Sequence, residues 1–327
     1  MKKFLALLMS VLLLICSMTG CGASKPVEKP DTSKKISIVT TIFPEYDWVS
    51  QIVGDTDSVE IKLLLDKGVD LHSYQPTADD IVKVASCDLF IYVGGESDEW
   101  VEDALAEATN KDMKVINLLE ALGDSVKEEE VIEGMEAEEE EEETEEEEPE
   151  YDEHVWLSLS NAQVLCNVIA DTLSEIDSAN AESYKANAAS YCDKLITLDA
   201  EYVKAVSAGT KDTLLFADRF PFRYLVDDYG LNYYAAFVGC SAETEASFET
   251  ILFLANKVDE LGLSSIMQIE SADGRIAETV KRATSAQNQQ ILTMDSMQSA
   301  TMNDVKSGTT YLSIMEKNLE VLKEALK

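Results

Sequence analysis

Basic residues and histidine are scarce in this chain of 327 residues. It contains 26 Lys and Arg against 63 Asp and Glu, which gives a formal net charge of −37, and it contains two histidines, His72 and His154. A field of this sign repels nucleic acid and attracts cations. The composition therefore excludes a nucleic-acid partner, favours a cationic ligand, and makes each histidine a candidate functional residue.

The sequence also lacks the short repeats that hold metal in many small sites. It has no Cys-x-x-Cys and no His-x-x-x-His, and the spacing of Cys87 and Cys240 matches no metal motif. Cys166 and Cys192 lie 13 residues on either side of position 179, in a break between two predicted helices. They would face each other in a helix hairpin, either as a disulfide or as two buried thiols. Any metal ligands must be brought together by the fold.

The N-terminus has the order of a signal peptide. Two lysines precede an apolar run from Phe4 to Cys16, which is too short to span a bilayer as a helix. The following Met18-Thr19-Gly20-Cys21 is similar to a bacterial lipobox. We therefore predict a signal peptide over 1–20, a lipid on Cys21, and a tether over 21–35 that holds an exported protein at the outer face of the membrane. An ordinary secretory signal is the alternative.

The rest of the chain alternates between strand and helix patterns. Predicted strands and helices follow each other from residue 36 to 118 and again from 213 to 326, with two long helical patterns between them. This rhythm predicts an α/β fold of two lobes, each with a mostly parallel four-stranded sheet flanked by helices, joined by a long rigid helix. The predicted boundaries are 36–157 for the first lobe, 158–208 for the helical connector and 209–327 for the second lobe.

An acidic run interrupts the first lobe. Residues 128–153 contain 18 of the 63 acidic side chains, with Gly134 and Pro149 among them. Because such a segment cannot bury apolar surface, we predict a disordered surface loop over 127–151. It is either a solubilising insert or a weak collector of cations beside His154.

Three of the four candidate ligands lie near predicted strand ends. His72 comes after the strand predicted to end near Leu65, Asp218 comes after the strand predicted to end at Phe216, and Asp295 comes after one ending at Thr293. His154 follows the acidic run. Ligands of doubly wound sheets bind beyond the carboxyl ends of the strands. Two imidazoles with carboxylates suit Zn²⁺ or, with more oxygen ligands, Mn²⁺.

Several motifs give the chain a family resemblance. They are Thr40-Thr41-Ile42-Phe43-Pro44, His72-Ser73-Tyr74-Gln75-Pro76-Thr77, His154-Val155-Trp156-Leu157, Glu243-x-Glu245-Ala246-Ser247 and Met294-Asp295-Ser296. With these motifs the mature chain resembles the solute-binding proteins of zinc and manganese ABC importers. The resemblance implies that His72, His154 and Asp295 ligate the metal and that an ABC transporter permease is the partner.

One position departs from the family pattern. Arg219 stands where a histidine or glutamate ligand is usual, and a guanidinium has no lone pair to offer a metal. Either His72, His154 and Asp295 form the site, completed by water or Asp218, or Arg219 pairs with a carboxylate and the metal preference changes. A salt bridge outside the site is the third alternative.

The sequence thus predicts a monomeric lipoprotein that captures Zn²⁺ between two lobes and delivers it to a permease. A manganese receptor and a surface adhesion lipoprotein are the alternatives. A metal-dependent hydrolase is less favoured because no nucleophile motif is present, so we expect no enzyme activity.

Overall fold

Two parallel four-stranded sheets form the framework, as predicted. The computed structural model describes residues 35–136, 150–241 and 245–327. The first sheet contains β1 (Ile36–Thr40), β2 (Val59–Leu63), β3 (Leu89–Tyr92) and β4 (Lys114–Asn117). The second contains β5 (Thr213–Phe220), β6 (Asn232–Val238), β7 (Ser265–Ile269) and β8 (Gln290–Met294). The strand orders β2-β1-β3-β4 and β6-β5-β7-β8 are equivalent, so the two lobes repeat one topology.

The central strand β3 is a continuous apolar run because both faces of the sheet are covered there. Leu89, Phe90 and Ile91 of β3 are all fully buried, as is usual for a central parallel strand. Eleven helices accompany the strands in the described residues: α1 (Phe43–Val53), α2 (Ala78–Ser86), α3 (Trp100–Ala106), α4 (Leu118–Leu122), α5 (Leu159–Ile176), α6 (Ala181–Ala208), α7 (Arg223–Tyr229), α8 (Phe248–Leu261), α9 (Arg275–Ala283), α10 (Met302–Lys306) and α11 (Tyr311–Ala325).

Helix α6 joins the two lobes. Its 28 residues span about 42 Å. Near its start, Asn187 Nδ2 donates to the Ile52 carbonyl of α1 at 3.0 Å. Near its end, the Tyr202 hydroxyl donates to the Met315 carbonyl of α11 at 2.6 Å. The predicted connecting helix is therefore present and is fixed to both lobes.

Cys166 and Cys192 meet across the hairpin that α5 forms with α6. Their thiols are within hydrogen-bonding contact of each other, and both are free cysteines. The predicted facing arrangement is present in its two-thiol form.

The apolar core continues from one lobe into the other. Trp48, Trp156 and Tyr311 are fully buried. The Trp156 indole donates to the Ser296 carbonyl at 2.9 Å, and the Tyr311 hydroxyl donates to the Trp156 carbonyl at 2.7 Å. Residues Ile36–Lys327 consequently form one compact unit.

The chain departs from the predicted elements at two places. Strand β5 continues to Phe220 through a bulge between Phe216 and Arg219, so Asp218 and Arg219 lie within the strand rather than after it. The single helix predicted over 305–326 is two helices, because Gly308 has φ +94° and the Thr310 hydroxyl starts α11 by accepting from Ser313 N.

Part of the acidic run has a fixed position. Glu128 and Tyr151 form an antiparallel bridge, and Glu136 forms a parallel bridge with Phe237 of β6. Lys127 N donates to the Tyr224 hydroxyl of α7 at 3.0 Å. Residues 127–136, where disorder was predicted, therefore run along the second lobe. The glutamates between positions 138 and 148, like the predicted signal segment, Cys21 and Glu243, lie outside the described residues. No described helix has both the length and the apolar character needed to cross a membrane.

Candidate metal centre

His72 is presented by a 3₁₀ turn between β2 and α2. The Asp70 side chain starts the turn Leu71–Ser73 by accepting from His72 N at 3.1 Å. Leu71 is buried and anchors the turn on the core. At the ring, His72 Nδ1 lies 2.8 Å from the Ser97 hydroxyl and 3.5 Å from Glu153 Oε2.

His154 is presented by a second 3₁₀ turn, Val155–Leu157, and its side chain is fully buried. Asp152 Oδ1 accepts from both His154 N, at 2.8 Å, and His154 Nδ1, at 3.0 Å. A proton on Nδ1 leaves the Nε2 lone pair available to a metal, which is the usual carboxylate–histidine arrangement of metal sites. The backbone of Gly239 also approaches the ring closely, because a Cβ there would lie 2.9 Å from His154 Cε1.

The two histidines lie directly opposite each other. Their Nε2 atoms are 3.2 Å apart. Two nitrogens bound to one tetrahedral Zn²⁺ at about 2.0–2.1 Å lie about 3.3 Å from each other. Burial, with further contributions from His154 and Arg219, lowers the pKa of His72 to about 3, so this ring is neutral at physiological pH. The pair therefore has the spacing of two nitrogen ligands on one metal ion.

Cys240 is the third member of this group and was missed by the sequence analysis. Its Sγ and the ligand nitrogens of His72 and His154 all lie within 4.8 Å of one another. Burial, together with Glu129 and Glu153, raises the pKa of the thiol well above its usual value. The available signal was position, because Cys240 follows the carboxyl end of β6 just as the other candidates follow their strands. Spacing between cysteines could not reveal it.

The two predicted carboxylate ligands do not join the group in the described structure. Asp218 accepts from the backbone of Arg219 at 2.9 Å and of Ile269 at 3.1 Å, which ties β5 to β7 at the bulge. Asp295 accepts from Met297 N at 2.8 Å. Burial, with Glu270 nearby, raises the pKa of Asp295 to about 6. Metal ligation by these carboxylates stays a prediction.

Arg219 pairs with a carboxylate beside the histidines. Its Nη2 lies 2.6 Å from Asp70 Oδ2, and its Nη1 donates to the Ser241 carbonyl at 3.3 Å. The Arg219 bond counteracts the effect of burial and lowers the pKa of Asp70. The ion pair links the first lobe to the second next to His72, as one of the sequence alternatives proposed.

Gln298 closes the group from the loop after β8. With its amide oriented to satisfy its neighbours, its nitrogen donates to Asp70 at 3.0 Å and its oxygen accepts from His154 Nε2 at 3.1 Å, a bond that a metal on Nε2 would replace. Gln298 is buried. It therefore connects the Arg219–Asp70 pair to the second histidine.

Buried carboxyl groups lie beneath the His72 side of the centre. Burial raises the pKa of Glu153 to about 7 and that of Asp98 to about 6. Ser97 N donates to Glu153 Oε1 at 2.9 Å, and Val93 N and Gly94 N donate to Asp98 Oδ2 at 3.0 Å. These groups hold the turn that carries Ser97, the hydrogen-bond partner of His72.

Solved structures share this arrangement of lobes. The chain matches the Zn(II)-bound ZnuA-like domain of Streptococcus pneumoniae AdcA with a TM-score of 0.69 and 30% identity, covering 89% of this chain and 99% of that one. It matches the metal-dependent lipoprotein YcdH of Bacillus subtilis with a TM-score of 0.71 and 26% identity, covering 89% and 99%. The fold thus defines a two-lobed α/β protein with a helical link, and the histidine pair is its candidate metal centre.

The family follows from the sequence comparison. The family described as "Zinc-uptake complex component A periplasmic" matches residues 38–325, and this chain belongs to it. The chain is 32% identical to the zinc-binding lipoprotein AdcA of Streptococcus pneumoniae over 99% of its own length but spans only 61% of that relative. It is 30% identical to the high-affinity zinc uptake system protein ZnuA of Bacillus subtilis, covering 94% of this chain and 93% of that protein.

Proposed function

We propose that this protein is an extracytoplasmic receptor that captures Zn²⁺ between its two lobes and delivers it to an ABC import permease. The observation that carries the proposal is the 3.2 Å separation of His72 Nε2 and His154 Nε2. The other ring nitrogens face Ser97 and Asp152, so both Nε2 lone pairs are directed to one point. Zn²⁺ is the substrate, and binding and release are the whole chemistry.

The names of the relatives support zinc as the cargo. The pneumococcal relative is named a zinc-binding lipoprotein and the Bacillus relative a zinc uptake protein. Neutral imidazoles also suit Zn²⁺ better than Mn²⁺, which prefers carboxylate, carbonyl and water oxygens. The alternative is a manganese receptor of the same class. A competition between Zn²⁺ and Mn²⁺ for the protein distinguishes the two.

The proposed location is the outer face of the cell membrane. A lipid on Cys21 would anchor the chain, and residues 21–35 would allow the metal-binding unit to reach the permease. The pneumococcal relative named as a lipoprotein supports this proposal. The strong negative charge of the chain would raise the concentration of cations near the centre.

The test is metal analysis of the chain lacking residues 1–21, after removal of loosely bound ions. We expect about one equivalent of zinc in the wild type and its loss in His72→Ala and in His154→Ala. Asp218→Asn and Asp295→Asn test the predicted carboxylate ligands separately.

The matched control removes acidic charge without changing any proposed ligand. Deleting residues 138–148 takes out ten glutamates, and the equivalent of tightly bound zinc should remain. Retention of that equivalent by both histidine variants would contradict the proposed site. A wild-type preference for Mn²⁺ over Zn²⁺ would contradict the proposed cargo.

A further inference from the structure

The loop that carries Cys240 is held against both histidines. Its Sγ lies within 4.8 Å of their ligand nitrogens. A sulfur bound to a tetrahedral Zn²⁺ at about 2.3 Å would lie about 3.6 Å from each nitrogen ligand. A small movement of one side chain would therefore complete a three-ligand set.

Three contacts fix this loop. Gly239 has no side chain where a Cβ would lie 2.9 Å from His154 Cε1, which lets the backbone approach the ring. Arg219 Nη1 donates to the Ser241 carbonyl at 3.3 Å. Cys240 N donates to Glu129 Oε1 at 3.4 Å. These contacts hold both neighbours of Cys240 and its own backbone nitrogen. The fold therefore fixes the position of the thiol.

Cys240 enters the site from the strand next to Arg219. Arg219 pairs with Phe237 on β6, and Phe220 pairs with Val238. The chain continues from Val238 for two residues to reach Cys240. A ligand at the end of β6 can therefore approach the region beside Arg219, whose own guanidinium cannot ligate a metal and is committed to Asp70.

We propose that Cys240 joins the two histidines as a third protein ligand of the metal, its thiol releasing a proton so that the thiolate binds. This inference rests on the proposed function and specifies its substrate class. Thiolate and imidazole together select borderline and soft cations such as Zn²⁺, Co²⁺ and Cd²⁺ over Mn²⁺. Arg219 then acts as a positioning residue that holds the Cys240 loop and does not touch the metal.

Co²⁺ is the probe, because a thiolate bound to it gives a near-ultraviolet charge-transfer absorption that imidazole and carboxylate ligands do not. We expect this band in the wild type, in stoichiometric proportion to added Co²⁺. Cys240→Ser should lose it and Cys192→Ser, the matched control whose thiol faces the Gln163 carbonyl and is not part of the group, should keep it.

The outcomes separate this inference from the proposed function. Visible Co²⁺ absorption without the charge-transfer band in the wild type would overturn Cys240 ligation while leaving the receptor intact. The same conclusion would follow if Cys240→Ser kept the band. Failure of the wild type to bind either Zn²⁺ or Co²⁺ would overturn the proposed function itself.

A competition assay tests the substrate class independently of the spectrum. Loss of an outer partner of a metal ligand costs about 10- to 100-fold in affinity, so we expect Cys240→Ser to weaken Zn²⁺ binding by about 100-fold or more. Cys240→Asp, which supplies an oxygen ligand, should lower the ratio of the Zn²⁺ affinity to the Mn²⁺ affinity. Unchanged Zn²⁺ affinity in Cys240→Ser would overturn the inference.

Discussion

An aspartate two residues earlier in the chain prepares each histidine. Asp70 accepts from His72 N at 3.1 Å and Asp152 accepts from His154 N at 2.8 Å. The two aspartates differ in their other contact. Asp152 also accepts from Nδ1 of the His154 ring, whereas Asp70 accepts from Arg219. The same local arrangement thus orients one ligand directly and connects the other to the opposite lobe.

The Arg219–Asp70 pair should contribute to stability. Its side chains are 14% and 21% exposed, so Arg219→Gln leaves a largely buried carboxylate without its charged partner. We expect a loss of about 1–3 kcal/mol in the free energy of unfolding, measured by urea denaturation.

Arg275→Gln is the matched control for this prediction. Arg275 also pairs with an aspartate, Asp273, but those side chains are 71% and 57% exposed. Its replacement should change the free energy of unfolding by no more than about 0.5 kcal/mol. Equal losses in the two variants would show that burial of the Arg219 pair has no energetic importance.

Among the elements, helix α2 follows the His72 loop and begins with a reciprocal cap. The Thr77 hydroxyl donates to Asp80 Oδ2 at 2.6 Å, Thr77 N donates to the same oxygen at 3.1 Å, and Lys83 Nζ lies 2.9 Å from Asp80 Oδ1. Burial acts to raise the pKa of Asp80, but Thr77 and Lys83 outweigh it and lower that pKa to about 2. The ionised carboxylate therefore stabilises the start of the helix.

This cap predicts a pH dependence of stability. Because the pKa is lower in the folded protein than the ordinary 3.8, the stabilisation is present above about pH 4 and is lost as pH falls toward about 2. Asp80→Asn should lower the free energy of unfolding by about 1 kcal/mol at pH 7, and the difference from wild type should shrink at pH 3.

Asp79→Asn is the control, because Asp79 bonds the same Lys83 but its side chain is 78% exposed. Its effect at pH 7 should be at most about 0.5 kcal/mol. If the free energy of unfolding of Asp80→Asn differed from that of the wild type by the same amount at pH 7 and pH 3, the assigned role of the carboxylate would be contradicted.

Most elements were predictable from local patterns, and the misses have local causes. The run Leu89-Phe90-Ile91 could only be a buried strand or a short buried helix segment, and its setting between helix patterns decided the matter. Gly308 divides the last helix through a positive φ that apolar periodicity does not reveal. The end of β5 was misplaced because its bulge depends on Asp218 bonding the backbone of β7.

The site was predictable only where a ligand type is scarce. His72 and His154 could be identified because no other histidine competes with them. Cys240 had only its place after a predicted strand as a signal, because its association with them depends on how β6 aligns beside β5 and on the close approach of the Gly239 backbone to His154. Long-range pairing of this kind has no local sequence signature.

At the scale of the whole molecule, rigid contacts join the lobes outside the metal centre. Asp47 of α1 accepts from Tyr311 N at 3.1 Å and from the Tyr191 hydroxyl at 3.3 Å. One carboxylate thus connects a first-lobe helix, the long helix α6 and the last helix of the second lobe. Together with the continuous core around Trp156, this arrangement opposes hinge bending.

We therefore expect little lobe movement when the metal binds. Small-angle X-ray scattering curves of the metal-free and zinc-loaded protein should superimpose, with no measurable change in radius of gyration, because α6 would have to bend or lose contacts with α1 or α11. The chain carrying His72→Ala, titrated with the same zinc, is the control for non-specific effects of the ion. A clear contraction in the wild type alone would contradict a rigid link.

The bridge between Glu136 and Phe237 has a consequence for solubility. Strand β6 is an edge of the second sheet, and an uncovered edge offers its backbone amides and carbonyls to a strand of another molecule. Glu136 N donates to the Ala236 carbonyl at 2.9 Å, which satisfies part of that edge from within the chain. The described part of the acidic run thereby covers a stretch of strand edge that could otherwise pair with a strand of a second copy.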